Sequence, residues 1–368
     1  MASGTAPPVP ATMRAVVLTR HGGLDALTYR TDVPVPRPGP DDVLVRVTAC
    51  GMNATDINTR TGWYATSGTA AAGDVGGQTD EDGSWGGRLS FPRIQGAAVV
   101  GRIVTVGPGV AADRIGQRVM IDGWLRDPSG ARERARYLGS EVDGGYGDYV
   151  AVPASNAHAV DAHLSDIELA TFPCAYATAE HMLHRAGVAA GHWVLVTGAS
   201  GGVGGGLVQL ARRRAARVVA LTSAHHVDDV RDLGADAVLD RTRADLATAV
   251  ADITGGVDVF ADVVGGPLFA PLFDTIRPGG HYTTAGAIAG PVVALDLRTL
   301  YLRDLTMHGA TVLPPEVFAN LVAYIERGEI RPVVARTFPL EDMVAAQAAF
   351  VERADAGGIV IDVAADRV

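Results

Sequence analysis

The 368-residue sequence contains no lysine, and its 31 basic residues are all arginine. That absence excludes Schiff-base chemistry, a lysine general acid and the Walker lysine of a phosphate-binding loop. Cysteine is almost absent too. Cys50 and Cys174 are too few for a disulfide framework, so a reducing, cytoplasmic setting is expected. Basic charge is in deficit: 41 acidic residues against 31 basic give a net charge of −10, which argues against nucleic-acid binding. No long apolar run is free of glycine. The nearest approach, Trp193 to Ala211, lacks charge but carries six glycines, a poor composition for a membrane span. Residues 1–12 lack the apolar segment of a signal peptide and read as a flexible tail.

What remains is globular. The chain is 48% hydrophobic and 20% charged, and at roughly 150 residues per domain its length predicts two domains. Residues 14–20, 42–49, 97–106 and 117–121 read as strands, the first two separated by the proline-rich VPVPRPGPD. The texture changes near residue 164. Helical pieces around Pro173 lead to a strand (WVLVTG), a glycine loop and a helix (GLVQLARRRA). Further strands (RVVALTS, AVLD, VDVFADVV) then alternate with helices, the signature of a parallel sheet built from right-handed βαβ units. A helix at 315–327 precedes Pro332, and 333–368 returns to strand, helix and strand. The loop at 65–90, rich in Gly, Ala, Ser and Asp, reads as disordered or as a lid.

The segment Gly198, Ala199, Ser200, Gly201, Gly202, Val203, Gly204, Gly205 joins a buried strand to a helix. Small residues there permit a tight turn and a close backbone approach, so that helix N–H groups receive a pyrophosphate. The next strand ends in Thr222, Ser223, Ala224, His225, His226, without the carboxylate that would hold a ribose 2′-hydroxyl. A 2′-phosphate would meet no repulsion, and Ser223 can donate to it, so NADPH is the expected cofactor. The same residues are also ordinary turn formers. Arg241, past the third strand, is a second phosphate candidate.

These stretches, with CGMNATD (50–56), RTGWY (60–64), IQGAAVVGRIVTVG (94–107), DGGYGDYV (143–150), TFPCAYATAE (171–180), ADVVGG (261–266) and the tail GGIVIDV, resemble the medium-chain dehydrogenase/reductase superfamily, especially its zinc-independent quinone oxidoreductase-like members. The resemblance spans roughly residues 13–365. It implies an α/β fold: a GroES-like β-rich catalytic domain over 13–165, completed by 333–368, and a Rossmann domain with a doubly wound parallel sheet over 166–332. It also implies a homodimer joined through Rossmann sheet edges. Thr178, Val264, Gly265, Ala285 and Gly286 would join Ala199–Gly204, Thr222, Ser223, His226 and Arg241 around the cofactor.

Departures from the family pattern carry the chemistry. Zinc alcohol dehydrogenases of the superfamily hold catalytic zinc with a cysteine, a Gly-His-Glu motif and a second cysteine. Cys50 and Cys174 match the cysteines, but the motif here is Gly96, Ala97, Ala98, and two thiols do not make a three-ligand catalytic zinc. Residues 122–141 also lack the cysteines of a structural zinc. No metal is therefore expected. The reading that follows is hydride delivery from NADPH to a small hydrophobic conjugated carbonyl or quinone. By resemblance Asn53 donates to the substrate oxygen and Tyr64 donates or relays a proton, while Asp56 braces the turn. Cys50 and Cys174 are either small buried residues at former ligand positions or a thiol pair facing the substrate, with sulfurs close together. His181, His184, His225 and His226 read as surface histidines, and Trp63, Trp85 and Trp124 flank the cleft. Two alternatives stand beside this reading: a zinc alcohol dehydrogenase with atypical ligands, and a non-redox lyase, cyclase or binding protein on a reductase scaffold.

Overall fold

The computed structural model describes residues 9–65 and 89–365. Most of the 65–90 loop, with Trp85, and the first eight residues of the expected tail lie outside the described residues. Thr12, assigned to the tail, opens the first strand instead.

Along the chain, β1 (Thr12–Leu18) and β2 (Leu27–Pro34) pair antiparallel, and β3 (Asp42–Gly51) leads into helix α1 (Ala54–Thr61). Then come β4 (Arg93–Ile94), β5 (Ala98–Val106), β6 (Arg118–Ile121), a short pair β7 (Trp124–Leu125) and β8 (Arg136–Tyr137), β9 (Tyr149–Pro153) and β10 (Ala157–Ala159). β3 is the spine of this part. Val43, Leu44, Val45, Val47, Ala49 and Cys50 are each no more than 2% exposed. A strand covered on both faces is written as a continuous apolar run, which is why it is visible in the sequence. β2 is not visible. Its residues from Thr28 to Asp32 face solvent, and pairing with β1 rather than side-chain patterning makes it a strand.

The second sheet follows helices α2 (Asp166–Leu169) and α3 (Ala175–Arg185). Its parallel strands are β11 (Trp193–Val196), β12 (Arg217–Thr222), β13 (Ala237–Asp240), β14 (Val257–Asp262), β15 (Ile276–Thr284) and β16 (Thr306–Gly309). Between them run α4 (Gly202–Arg213), α5 (Val227–Asp232), α6 (Leu246–Thr254), α7 (Phe269–Phe273) and α8 (Leu297–Leu302). The spatial order is β13-β12-β11-β14-β15-β16. The order reverses beside β11, and in doubly wound sheets the crevice at that reversal, beyond the carboxyl ends of the strands, is where ligands bind.

After α9 (Pro315–Glu326), the chain returns to the first part through β17 (Val334–Pro339), α10 (Met343–Glu352) and β18 (Gly358–Asp362). β18 runs antiparallel to β3, with Ile361 opposite Cys50. Together β10, β6, β5, β3, β18 and β17, with β9 on β3, make a seven-stranded sheet. One backbone hydrogen bond ties this returning segment to the glycine loop: Gly357 N donates to Ser200 O at 2.9 Å. The architecture is thus the expected pairing of a GroES-like β-rich unit with a doubly wound parallel sheet.

Candidate active site

A cleft of about 700 Å³ opens between the carboxyl edge of the parallel sheet and the α10–β18 segment. Ser200, Gly201, Gly202, Val203 and Gly204 form its floor, Thr222, Ser223, His226 and Arg241 one end, and Val264, Ala285, Gly286 and Asn53 line it toward the other sheet. Ala199 and Gly265 stand behind this lining. Ala199 is fully buried and bonds Leu221 O, while Gly265 N is held by the Asp262 carboxylate. Asp262 also accepts from Thr197 Oγ1 and Val264 N, and Tyr282 Oη donates to it at 3.1 Å. This buried carboxylate shapes the 263–265 turn, a role no motif announces.

The cleft suits a dinucleotide. α4 starts at Gly202, and its N-cap, Gly201, supplies no side-chain cap, so the helix N-terminal N–H groups are open to an anion. Two buried polar atoms at the Thr222–His226 end have no hydrogen-bond partner among the described residues: Thr222 Oγ1 and His226 Nε2. Buried polar groups are nearly always satisfied, so these two atoms suit a polar ligand, and Thr222 Oγ1 can either donate or accept.

That end is also the basic one. Arg353, which no sequence motif flagged, lines the cleft at the C-cap of α10 with φ +53°. Glycine is the usual residue in that conformation. A non-glycine held there is the kind of local strain that clusters at functional positions. The protein packed around Arg353 and the like charge of Arg241 lower its pKa. Neither arginine has an ion-pair partner among the described residues. Among the carboxylates that line the cleft, Asp229 is taken by His226 Nδ1 at 3.0 Å and Asp355 by Arg336 Nε at 2.6 Å. His226 is therefore buried rather than a surface residue, as is His181, and both depart from the surface expectation. α3 is packed on α4 and on α9, leaving His181 little surface. Burial, then the charges of Arg185, His184 and Arg132, push its pKa down to about 4. His184 and His225 are exposed as expected.

Toward the other sheet the cleft wall includes Asn53, whereas Tyr64, Cys50, Cys174 and Thr178 do not line it. Asn53 caps α1; its Nδ2 donates to Gly51 O at 3.1 Å, and its backbone N to Asp56 Oδ2 at 2.8 Å. Asp56 accepts also from Gly96 N and Tyr146 Oη, which fastens the CGMNATD turn onto the Gly96–Ala98 segment. Burial, opposed by these bonds, pushes Asp56 up to about 6. Tyr64 Oη accepts from Asn58 Nδ2 at 3.4 Å, and burial pushes its pKa up to about 12. Cys50 and Cys174 are near enough to interact electrostatically, and burial raises both thiols, Cys174 to about 12. Thr178 sits one turn beyond Cys174 on α3 and bonds its carbonyl. Trp63 packs edge-on to Tyr64 and Trp124 against Tyr137.

Zinc does not fit this donor set. Ala97 and Ala98 are buried methyls beside Cys50, and among the described residues no three His, Cys, Asp or Glu side chains converge.

Asp56 makes a pH prediction. Its native pKa of about 6 lies above the roughly 4 of an unfolded chain, so the native state binds the extra proton. The stability this group contributes is full below about pH 4 and is lost as pH rises through 6, amounting to about 3 kcal/mol. Denaturant unfolding at pH 4.5 and 7.5 should show about 2 kcal/mol of that loss in the wild type and not in Asp56→Asn; equal pH slopes would refute it.

With this geometry in view, the comparisons are consistent. Residues 39–162 match the alcohol dehydrogenase GroES-like domain family, and 202–327 the zinc-binding dehydrogenase family. A solved structure of a candidate alcohol dehydrogenase from Sinorhizobium meliloti 1021 is 49% identical, with a TM-score of 0.87 over 96% of this chain and 97% of that one. The quinone oxidoreductase of Lama guanicoe is 27% identical over 95% of this chain and 97% of its own length. The acryloyl-coenzyme A reductase of Sulfurisphaera tokodaii is 26% identical over 85% and 89%. A reversed parallel sheet with a glycine loop, joined to a β-rich unit that the C-terminal strands complete, thus recurs along nearly the whole chain, and the protein belongs to the medium-chain dehydrogenase/reductase superfamily as a pyridine-nucleotide oxidoreductase.

Proposed function

We propose that this oxidoreductase is metal-free and uses NADPH to reduce a conjugated carbonyl: an enone, an enoyl thioester or a quinone. The observation that carries the reading is the substitution of donors at the metal position. Where a Lewis acid would be held stand Ala97, Ala98 and two protonated thiols, while the polar groups beside them, Asn53 and Tyr64, are hydrogen-bond donors. Two relatives, named for a quinone and for acryloyl-coenzyme A, act on electron-poor double bonds conjugated to carbonyls. The basic end formed by Arg241 and Arg353 supports NADPH over NADH.

Bound NADPH supplies a hydride to the β-carbon of the substrate. Asn53, fixed by Gly51 O and by its own cap of α1, offers its second amide hydrogen to the carbonyl oxygen, where negative charge develops. Tyr64 keeps its proton at neutral pH and passes it to the α-carbon. The apolar walls, Met52 and Val264 among them, exclude water from the exchange.

Protein stripped with a strong chelator and analysed for metal should oxidise NADPH with a panel of enones and enoyl thioesters as fast as untreated protein. Asn53→Ala should lower kcat roughly 100-fold and shift the NADPH Kd by less than about 3-fold. Activity that requires stoichiometric zinc would overturn the metal-free reading, and failure to bind either nucleotide would overturn the redox one.

A further inference from the structure

Asp262 closes β14 and is only 1% exposed, yet it stands one hydrogen bond behind the cleft wall. Thr197 and Val264 both line the cleft, and both donate to Asp262 Oδ1, from Thr197 Oγ1 at 2.5 Å and from Val264 N at 2.8 Å. Gly265 N lies 3.2 Å from each carboxylate oxygen, and Tyr282 Oη donates to Oδ2 at 3.1 Å. An ionised carboxylate only accepts, and all four of these groups donate to it. The phenol of Tyr282 feels the charge: burial, then Asp262, raise its pKa well above the usual range. The other carboxylate of β14, Asp258, has Arg277 as its ion-pair partner. Asp262 has no arginine or histidine partner among the described residues. A buried charge is costly without a compensating one, and here the open side is the cleft.

The glycine loop divides the cleft into two arms. One passes the end of β12 at Thr222 and Ser223; the other passes the ends of β14 and β15, where Val263, Val264 and Ile288 line it together with Asn53. In a doubly wound sheet the first ribose lies at the end of the strand that follows the glycine loop and its helix. That strand is β12, so the nicotinamide half of a dinucleotide falls to the β14–β15 arm. The wall there is stiff. Val264 O accepts from Ala289 N at 2.8 Å, and Gly265 has φ +62° at a point where a Cβ would stand 2.7 Å from Gly290 O. A charge fixed behind such a wall needs no rearrangement to act on the ligand in front of it.

Resting on the reading as a nicotinamide-dependent reductase, we propose that Asp262 is the counter-charge of the nicotinamide: its carboxylate, fixed behind Thr197 and Val264, favours the oxidised, positively charged ring over the neutral reduced one. In the hydride step the hydrogen leaves the ring with both electrons of its bond and joins the β-carbon of the substrate. The displaced π pair passes to the carbonyl oxygen, and the ring is left with one positive charge. Asp262 neither touches the ring nor exchanges a proton with it. It is a positioning residue that acts through the turn it holds and through its field. A unit charge one side chain away, in an effective dielectric of about 20, changes the affinity of a cation by roughly 10- to 30-fold.

The test is the ratio of the NADP+ and NADPH dissociation constants, measured by isothermal titration calorimetry on the full-length chain without substrate. Asp262→Asn keeps a side-chain oxygen for Thr197, Val264 and Gly265 and removes the charge. It should weaken NADP+ roughly 10-fold more than NADPH, whereas a loosened turn alone would weaken both alike. A ratio within about 2-fold of wild type overturns the assignment. Tyr282→Phe keeps the charge and removes one donor that draws it away from the cleft, and should move the ratio about 3-fold toward NADP+. If Asp262→Asn does not fold, as judged by circular dichroism, Tyr282→Phe decides: movement toward NADP+ upholds the assignment, and no movement or the reverse overturns it. The 2′-phosphate is common to the oxidised and reduced forms, so NAD+ and NADH give the same readout whichever nucleotide is preferred. If neither nucleotide binds, the redox reading falls and Asp262 with it. Binding and carbonyl reduction with an unmoved ratio remove Asp262 alone.

Discussion

Gly204→Ala is expected to abolish dinucleotide binding, while Gly205→Ala, one residue later in the same helix, costs little. The contrast follows from what each added methyl would meet. At Gly204 a Cβ would lie 2.0 Å from Gly198 O, 2.6 Å from Gly198 C and 2.7 Å from Ala199 Cα. These are backbone atoms of the turn itself, in which Gly198 already has φ +63°. The turn must withdraw from α4, and the helix N-terminus and the loop then no longer converge on one anion. At Gly205 the nearest atom is Leu233 Cδ1 at 3.2 Å, the tip of a flexible side chain. Tryptophan quenching by NADPH should show Kd weakened more than about 100-fold for Gly204→Ala and less than about 3-fold for Gly205→Ala, since overpacking of a tight site costs about 1–3 kcal/mol or more. Wild-type affinity in Gly204→Ala would mean that the loop holds no pyrophosphate. Circular dichroism separates a local loss from misfolding, and Gly205→Ala serves as the control for helix propensity.

Removing both Arg241 and Arg353 should invert the cofactor preference. The two guanidinium groups reach the same end of the cleft from different sheets, Arg241 after β13 and Arg353 from α10. A 2′-phosphate between them relieves their mutual repulsion, which is already felt at Arg353. Charge-assisted hydrogen bonds of this kind are worth about 1.5–3 kcal/mol each. The double alanine variant should therefore raise the NADPH Kd by roughly 100- to 1,000-fold and leave that for NADH within about 3-fold. Equal losses for both nucleotides would show that the arginines hold the shared pyrophosphate. No loss would remove them from the site.

Much of the architecture is legible in the sequence, because it is written in short-range patterns. β11 is buried throughout and is written as an apolar run, β14 is as buried though Asp258 and Asp262 stand among its apolar residues, and the glycine loop between β11 and α4 is one contiguous segment. β2 is the counterexample, a strand whose exposed polar residues carry no alternation and whose only cause is its partner. The active-site cluster divides the same way. Asn53 and Asp56 belong to one turn, and their mutual hydrogen bond spans three residues. Tyr137 and Cys174 are 37 residues apart and meet only because β8 folds over the mouth of α3.

The sequence by itself determined the superfamily, the glycine loop between β11 and α4 and the methyl side chains at Ala97 and Ala98, since each rests on which side chains stand at neighbouring positions. Tertiary structure alone decided that His226 and His181 are buried, that Arg353 faces Arg241, and that Tyr137 rests on Cys174. Burial and electrostatic coupling depend on distance through space, and chain closure between residues as far apart as 241 and 353 leaves no local trace in the order of the amino acids.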